Sequence, residues 1–166
     1  MKNGRVQVLC GRCSGKSACA LGQAVQAAGK NENIVVIQFL KGRAMENDIR
    51  KRLEPEIKVF SFERSDMPYD RLPPEAQAEE AVNMKNGVGF AKKVLTTRAC
   101  DVLILDEILG LVDNGIVTAD DIRRLLEARS EDVDVIMTGI VFPDELMDCV
   151  DTVSRIDTTD IKGKGC

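Results

Sequence analysis

Residues 5–17 read Arg5-Val6-Gln7-Val8-Leu9-Cys10-Gly11-Arg12-Cys13-Ser14-Gly15-Lys16-Ser17, and their order decides the fold. The apolar, partly β-branched run over 5–10 predicts a buried strand. Gly11 and Gly15 then let the backbone curl so that successive N–H groups face inward, and an alanine-rich helix opens over 15–28. A helix N-terminus carries partial positive charge and unpaired donors, so this corner suits an anion. Lys16 in the first turn opposes the helix dipole, which a bound anion explains. Ser17 puts a hydroxyl where a magnesium ion would sit beside phosphates. The strict phosphate-loop pattern wants its first glycine at position 10; here it stands at 11, one residue late.

Outward from this corner, strands are predicted over 34–40, 57–62, 102–106, 133–138 and 152–156. Several are almost wholly apolar, as expected for strands covered on both faces. A long helix is predicted over 75–97, with Ala78, Ala81, Val82, Val88, Ala91 and Leu95 at three- and four-residue spacing, weakened by Gly87 and Gly89. Thr118 caps a further helix, with Asp121 at the capping-box position and Ile122, Leu125 and Leu126 inward. Pro143 suits the first turn of a last helix carrying Leu146 and Met147. Strand–helix alternation without linker or repeat predicts one α/β domain over 1–166, with a mainly parallel sheet and helices on both faces. Ligands of such sheets bind outside the carboxyl ends of the strands.

At one such end, Val102-Leu103-Ile104-Leu105 runs into Asp106-Glu107. Two carboxylates there can hold magnesium, directly or through water, or orient a nucleophile. The expected metal set is Ser17, Asp106 and Glu107. The expected nucleotide-binding set is Gly11, Arg12, Cys13, Ser14, Gly15, Lys16, Ser17 and Ala18. Lys16 and Glu107 are the candidate catalytic residues.

Composition removes other classes. The 166 residues carry a net charge of −4 and no histidine, which excludes a histidine base and histidine metal ligands. The pI of about 5.0 argues against a general nucleic-acid binder, which needs a basic face. No apolar run approaches the roughly 20 residues that span a bilayer, and the start lacks a signal peptide, so a cytoplasmic location without a membrane partner is expected. There the six cysteines (10, 13, 19, 100, 149 and 166) should be reduced thiols. Cys10 and Cys13 form a C-x-x-C with no second pair at metal spacing. They read as small residues of a turn or, near a helix N-terminus, as a redox-sensitive pair.

The chain resembles the P-loop type of ATP:corrinoid adenosyltransferases. The resemblance rests on the contracted loop over 11–17, Ala-Leu-Gly at 20–22, Ala-Ala-Gly at 27–29 and Gln38-Phe39-Leu40-Lys41-Gly42. It continues through Leu103-Ile104-Leu105-Asp106-Glu107, Gly115, Leu125-Leu126-Glu127-Ala128-Arg129 and Val135-Ile136-Met137-Thr138-Gly139. The fold then expected is a RecA-like P-loop NTPase fold. The resemblance implies ATP and Mg2+ at the loop, a reduced corrinoid as second substrate, and a Co(I) nucleophile that attacks the ribose 5′ carbon while triphosphate leaves. It also implies a homodimer, and the departures described next call for a corrinoid-delivering protein as a further partner.

The sequence departs from that family at Cys13 and Ser14, where glycine and lysine are usual, and at Ile140, where arginine is usual. Arg64-Ser65-Asp66-Met67-Pro68-Tyr69-Asp70 stands where the family carries an aromatic segment, and the family's basic tail is not matched by residues 160–166. The departures gather on the corrinoid side. Two other readings use the same loop: a diverged enzyme transferring or hydrolysing phosphate on another substrate, and a nucleotide-sensing module without turnover.

Overall fold

The computed structural model describes residues 3–12, 14–42 and 52–163. Cys13 lies outside them, as do residues 164–166 of the tail. Six strands form one sheet: β1 (Val6–Cys10), β2 (Ile34–Gln38), β3 (Ile57–Ser61), β4 (Val102–Asp106), β5 (Asp134–Gly139) and β6 (Thr152–Arg155), in the order β3-β2-β4-β5-β1-β6. Every neighbouring pair runs parallel. Among the elements with described bounds, four helices connect them: α1 (Lys16–Ala28), α2 (Pro74–Thr96), α3 (Ile108–Asp113) and α4 (Ala119–Glu127).

Side chains alternate between two cores, as the pleat dictates. Val8, Val35, Ile37, Leu103, Leu105, Val135 and Met137 face α2, α3 and α4. Leu9, Ile34, Val36, Val102, Ile104 and Ile136 face α1 through Ala20, Ala24 and Ala27. The small alanine face lets α1 lie close to the sheet. A wholly buried side chain such as Leu103 contributes about 1.5–3 kcal/mol. The Thr118–Asp121 capping box forms as predicted.

Three expectations change. The strand over 34–40 stops at Gln38, because Leu40 takes a left-handed turn with φ +62°. The helix at Pro143 is a six-residue 3-10 segment, Asp144–Cys149, since Val150 must already be extended to enter β6; Leu146 is buried and Met147 exposed. Helix α3, unpredicted, starts directly after Glu107. The mainly parallel sheet is wholly parallel among the described strands. No helix among the described residues is long and apolar enough to cross a membrane.

Strand β5, between β4 and β1, positions the site. Cys10 pairs with Gly139, Leu105 with Met137, and Gln38 with Asp106. The ends of β2, β4, β5 and β1 therefore form one edge, with the loop after β1 above it.

Candidate active site

Gly11 adopts φ +144°, and its N–H donates to the carbonyls of Gly139 (3.2 Å) and Ile140 (3.1 Å). A Cβ there would lie 2.2 Å from the Ile156 carbonyl oxygen, so only glycine fits where β6 closes on the loop. The Gly11 donor thus joins the loop to the end of β5. Gly15 turns at φ +117° into Lys16, the first residue of α1.

Lys16 is only 7% exposed. Its charge acts on Glu107, whose carboxyl burial pushes above the usual range; Lys16 pulls it back down and Asp106 pushes it up. Glu107 is itself in the left-handed region at φ +64°. Its N–H donates to Thr138 Oγ1 at 2.8 Å. The same threonine hydroxyl donates to Asp106 Oδ1 at 2.7 Å. Thr138 at the end of β5 thereby holds the Asp106 carboxylate and the Glu107 backbone at the end of β4.

Ser17 Oγ, on the first turn of α1, donates to Asp106 Oδ1 at 2.8 Å. Two segments 89 positions apart in the chain are brought together there. Lys41 Nζ donates to Ser17 Oγ at 2.5 Å and also to Asp106 Oδ2. Asp106 is 3% exposed, so this charge is compensated by a lysine and two hydroxyls rather than by water.

A cavity of about 430 Å³ opens beside this cluster, lined by Arg12, Ser14, Lys16, Lys41 and Glu107 on the polar side and by Leu40, Tyr69 and Ile140 on the apolar side. Asp113 at the end of α3 also lines it, and burial raises its carboxyl pKa. A larger cavity of about 640 Å³ lies between α2 and α4, lined among others by Lys85, Lys92, Arg124, Val88 and Leu125; none of the phosphate-loop residues reaches it.

Lys16 and Glu107 therefore line one cavity, while Ser17 and Asp106, absent from its lining, are bonded to each other and to the lining residue Lys41. Arg12 and Ser14 line the same cavity, whereas Ala18 on α1 is absent from its lining. Reasoning from the sequence does not mark Lys41 or Thr138 as site residues. The signal for Lys41 is its place directly after an apolar strand and before a glycine.

A parallel sheet with β5 between β1 and β4, and a Lys-Ser helix start set against a buried acidic strand end, define a RecA-like nucleotide-binding α/β protein. The archaeal flagellar accessory protein FlaH of Methanocaldococcus jannaschii shares this fold, with a TM-score of 0.61 over 98% of this chain and 75% of that one at 17% identity. The family described as ATP:corrinoid adenosyltransferase BtuR/CobO/CobP matches residues 2–162. Similar proteins include the corrinoid adenosyltransferase CobA of Salmonella typhimurium strain LT2, 28% identical over 93% of this chain and 77% of its own length. The corrinoid adenosyltransferase of Pseudomonas aeruginosa is 26% identical over 93% of this chain and 75% of its own. The chain belongs to the ATP:corrinoid adenosyltransferase family and is an enzyme of that type.

Proposed function

We propose that the protein transfers the 5′-deoxyadenosyl group of ATP to the Co(I) centre of a reduced corrinoid and releases triphosphate. The observation that carries this reading is the cluster beside the 430 Å³ cavity: Lys16, Lys41 and Glu107 line it, and Lys41 joins it to the hydrogen-bonded Ser17–Asp106 pair. The chain acts as a single nucleotide-binding domain over 1–166. The loop and first turn over 11–18 hold the triphosphate through backbone donors, with Lys16 and Arg12 as charges. The ribose then faces the cavity.

The reduced corrinoid, delivered as Co(I), donates an electron pair to the 5′ carbon. The C5′–O bond breaks as the cobalt–carbon bond forms, and its electron pair leaves on the triphosphate. No proton is transferred in that step, so a chain without histidine can serve it. Lys16 and the loop donors stabilise charge growing on the leaving group, and fixed charge in a water-poor site is a large catalytic contribution. The low-exposure setting of Lys16 suits this role.

Magnesium fits the donor set: Ser17 Oγ and Asp106 supply hard oxygens that already share a cation, the Lys41 ammonium, and Glu107 stands beside them. Bound there, the ion neutralises triphosphate charge. Among the described residues no three acidic, cysteine or histidine side chains cluster, so phosphate oxygens and water complete such a shell.

The half-exposed Ile140, which lines the cavity, and its exposed neighbour Val141 support a partner covering the cavity: a second copy of the chain, or a protein that delivers the corrinoid. The reaction belongs to the cytoplasm, where thiols stay reduced. The test is turnover with ATP, Mg2+ and a chemically reduced corrinoid, following the visible spectrum and separating the nucleotide products. Photolabile adenosyl-corrinoid with stoichiometric triphosphate supports the reading. ADP and phosphate with an unchanged corrinoid spectrum point to a phosphate-transferring relative; ATP bound and untouched points to a sensor.

A further inference from the structure

Lys41 sits in a turn built to hold its backbone still. Leu40 and Gly42 on either side are both left-handed, at φ +62° and +65°. Leucine adopts that region only at a cost, so surrounding structure must enforce it. The enforcement is visible. The Gly42 N–H donates to Glu63 Oε2, and Glu63 is 7% exposed. Glu80, 6% exposed, accepts the N–H groups of Arg64 (3.0 Å) and Ser65 (2.9 Å). Gly42 packs against the backbone of Ser65 and Asp66. Two buried carboxylates, Glu63 through Oε2, thus accept from main-chain donors around one turn, which makes that turn rigid.

The side chain has a different character. It is 25% exposed, it lines the cavity, and it ends in an ammonium shared by Ser17 Oγ and Asp106 Oδ2. A magnesium ion takes oxygen ligands at roughly 2.0–2.1 Å, so an ion on both of these oxygens would fall on that ammonium. Two cations cannot share the pair: the volume is the same, and like charges this close repel strongly away from bulk water. A fixed backbone with a flexible four-carbon stem is suited to moving the charge without moving the turn.

We propose that Lys41 is the resident cation of the Ser17–Asp106 pair when nucleotide is absent, and that a divalent metal ion and the Lys41 ammonium occupy this pair alternately. Arrival of metal-bound nucleotide displaces the ammonium, which turns to the phosphate oxygens a few ångströms away. The exchange keeps Asp106 compensated at every stage and keeps free metal out of the nucleotide-free enzyme. It rests on the metal reading of Ser17 and Asp106 given above, and the Glu63-anchored turn is what aims Lys41 at them.

Mn2+ binding followed by electron paramagnetic resonance tests this without any turnover. In nucleotide-free wild type, Mn2+ should bind weakly. Lys41→Met should bind it about tenfold or more tightly, because Asp106 then lacks its compensating charge. Lys41→Arg, which keeps a cation on the pair, should behave as wild type. Should Lys41→Met not fold, Lys41→Gln gives the same comparison. Equal nucleotide-free Mn2+ affinity in the uncharged variant and wild type overturns the proposal. ATP-loaded wild type that takes up no Mn2+ overturns the metal reading itself, and this proposal with it.

Discussion

The hydroxyl of Thr138 donates to Asp106 Oδ1 at 2.7 Å, and both residues are buried, at 0% and 3% exposure. The bond crosses from the end of β5 to the end of β4, and the same hydroxyl oxygen accepts the Glu107 N–H. It is therefore the point through which strand order fixes the Asp106 carboxylate and the backbone turn at Glu107.

Thr138→Val keeps the shape and removes the hydroxyl. The Glu107 N–H loses its acceptor and Asp106 loses a donor. An unpaired buried polar group costs about 1–3 kcal/mol, so denaturant melts should show a loss of that size. Thr138→Ser restores the hydroxyl and should lose only the methyl, about 0.8 kcal/mol. Equal losses in the two variants would mean that packing, not the hydroxyl, matters at this position.

Much of the sheet is legible in the sequence because its strands are buried on both faces, and a short, continuous β-branched run bounded by turn residues suits a buried strand far better than a helix. The corner between β1 and α1 is legible because glycine, lysine and serine sit at a strand–helix junction. Other features depend on contacts that the chain order hides. Lys41 stands in the sequence only as part of the Gln38–Gly42 segment of the resemblance, and its role shows once β2 is placed beside β4, which brings it to Asp106, 65 positions away. Gly87 reads as a weak point in α2, but a Cβ there would lie 2.9 Å from the Phe39 ring and 3.1 Å from the Phe62 ring, so the gap is filled by aromatics. Helix α3 is hidden because Ile108, Leu109 and Leu111 prolong the apolar run of β4, and the break between them is a backbone turn at Glu107 with no capping side chain.

Lys16→Ala should weaken ATP binding sharply. The lysine is buried at the start of α1 beside the loop, where its charge faces the expected phosphates. Losing a charged hydrogen-bond donor costs about 1.5–3 kcal/mol, or roughly ten- to a hundredfold in affinity. Calorimetric titration with ATP reads this directly. Unchanged affinity would place the triphosphate elsewhere.

Glu63 gives a pH test of the turn that carries Lys41. Burial raises its carboxyl above the ordinary 4.5, assisted by the charge of Glu80, while N–H donors from Gly42, Leu40 and Lys41 act in the opposite direction. Because the folded-state value is raised, the stability this group contributes is complete below its unfolded value and is lost as pH rises through the folded one. Glu63→Gln keeps an acceptor for the Gly42 N–H and does not titrate, and its amide can occupy the Oε1 position, which has no partner among the described residues. Urea melts between about pH 4 and pH 8 should shift in favour of the variant as pH rises. A stability difference that is flat across this range would show that the carboxyl does not carry the penalty.

Asp106→Asn separates the metal role of this carboxylate from its structural one. The amide is nearly isosteric. Its oxygen can still accept from Thr138 and Ser17, which hold Asp106 Oδ1 at 2.7 and 2.8 Å. Its nitrogen, however, would present a donor where Asp106 Oδ2 accepts from the Lys41 ammonium. Donor then faces donor, and Lys41 is driven off the pair into the cavity that it already lines. The fold should survive, because Ser17 and Thr138 keep their partner. Two effects on ATP then oppose each other. The released ammonium adds a positive charge near the phosphates and favours metal-free ATP. Loss of a carboxylate ligand disfavours metal-bound ATP by about 1.5–3 kcal/mol, the range for a hydrogen bond or contact to a charged group. Calorimetry with and without Mg2+ should therefore show the gain from magnesium shrinking about tenfold or more, while affinity for ATP in a chelator is kept or improved. A variant with the wild-type magnesium dependence would leave Asp106 only as the anchor of Lys41, Ser17 and Thr138.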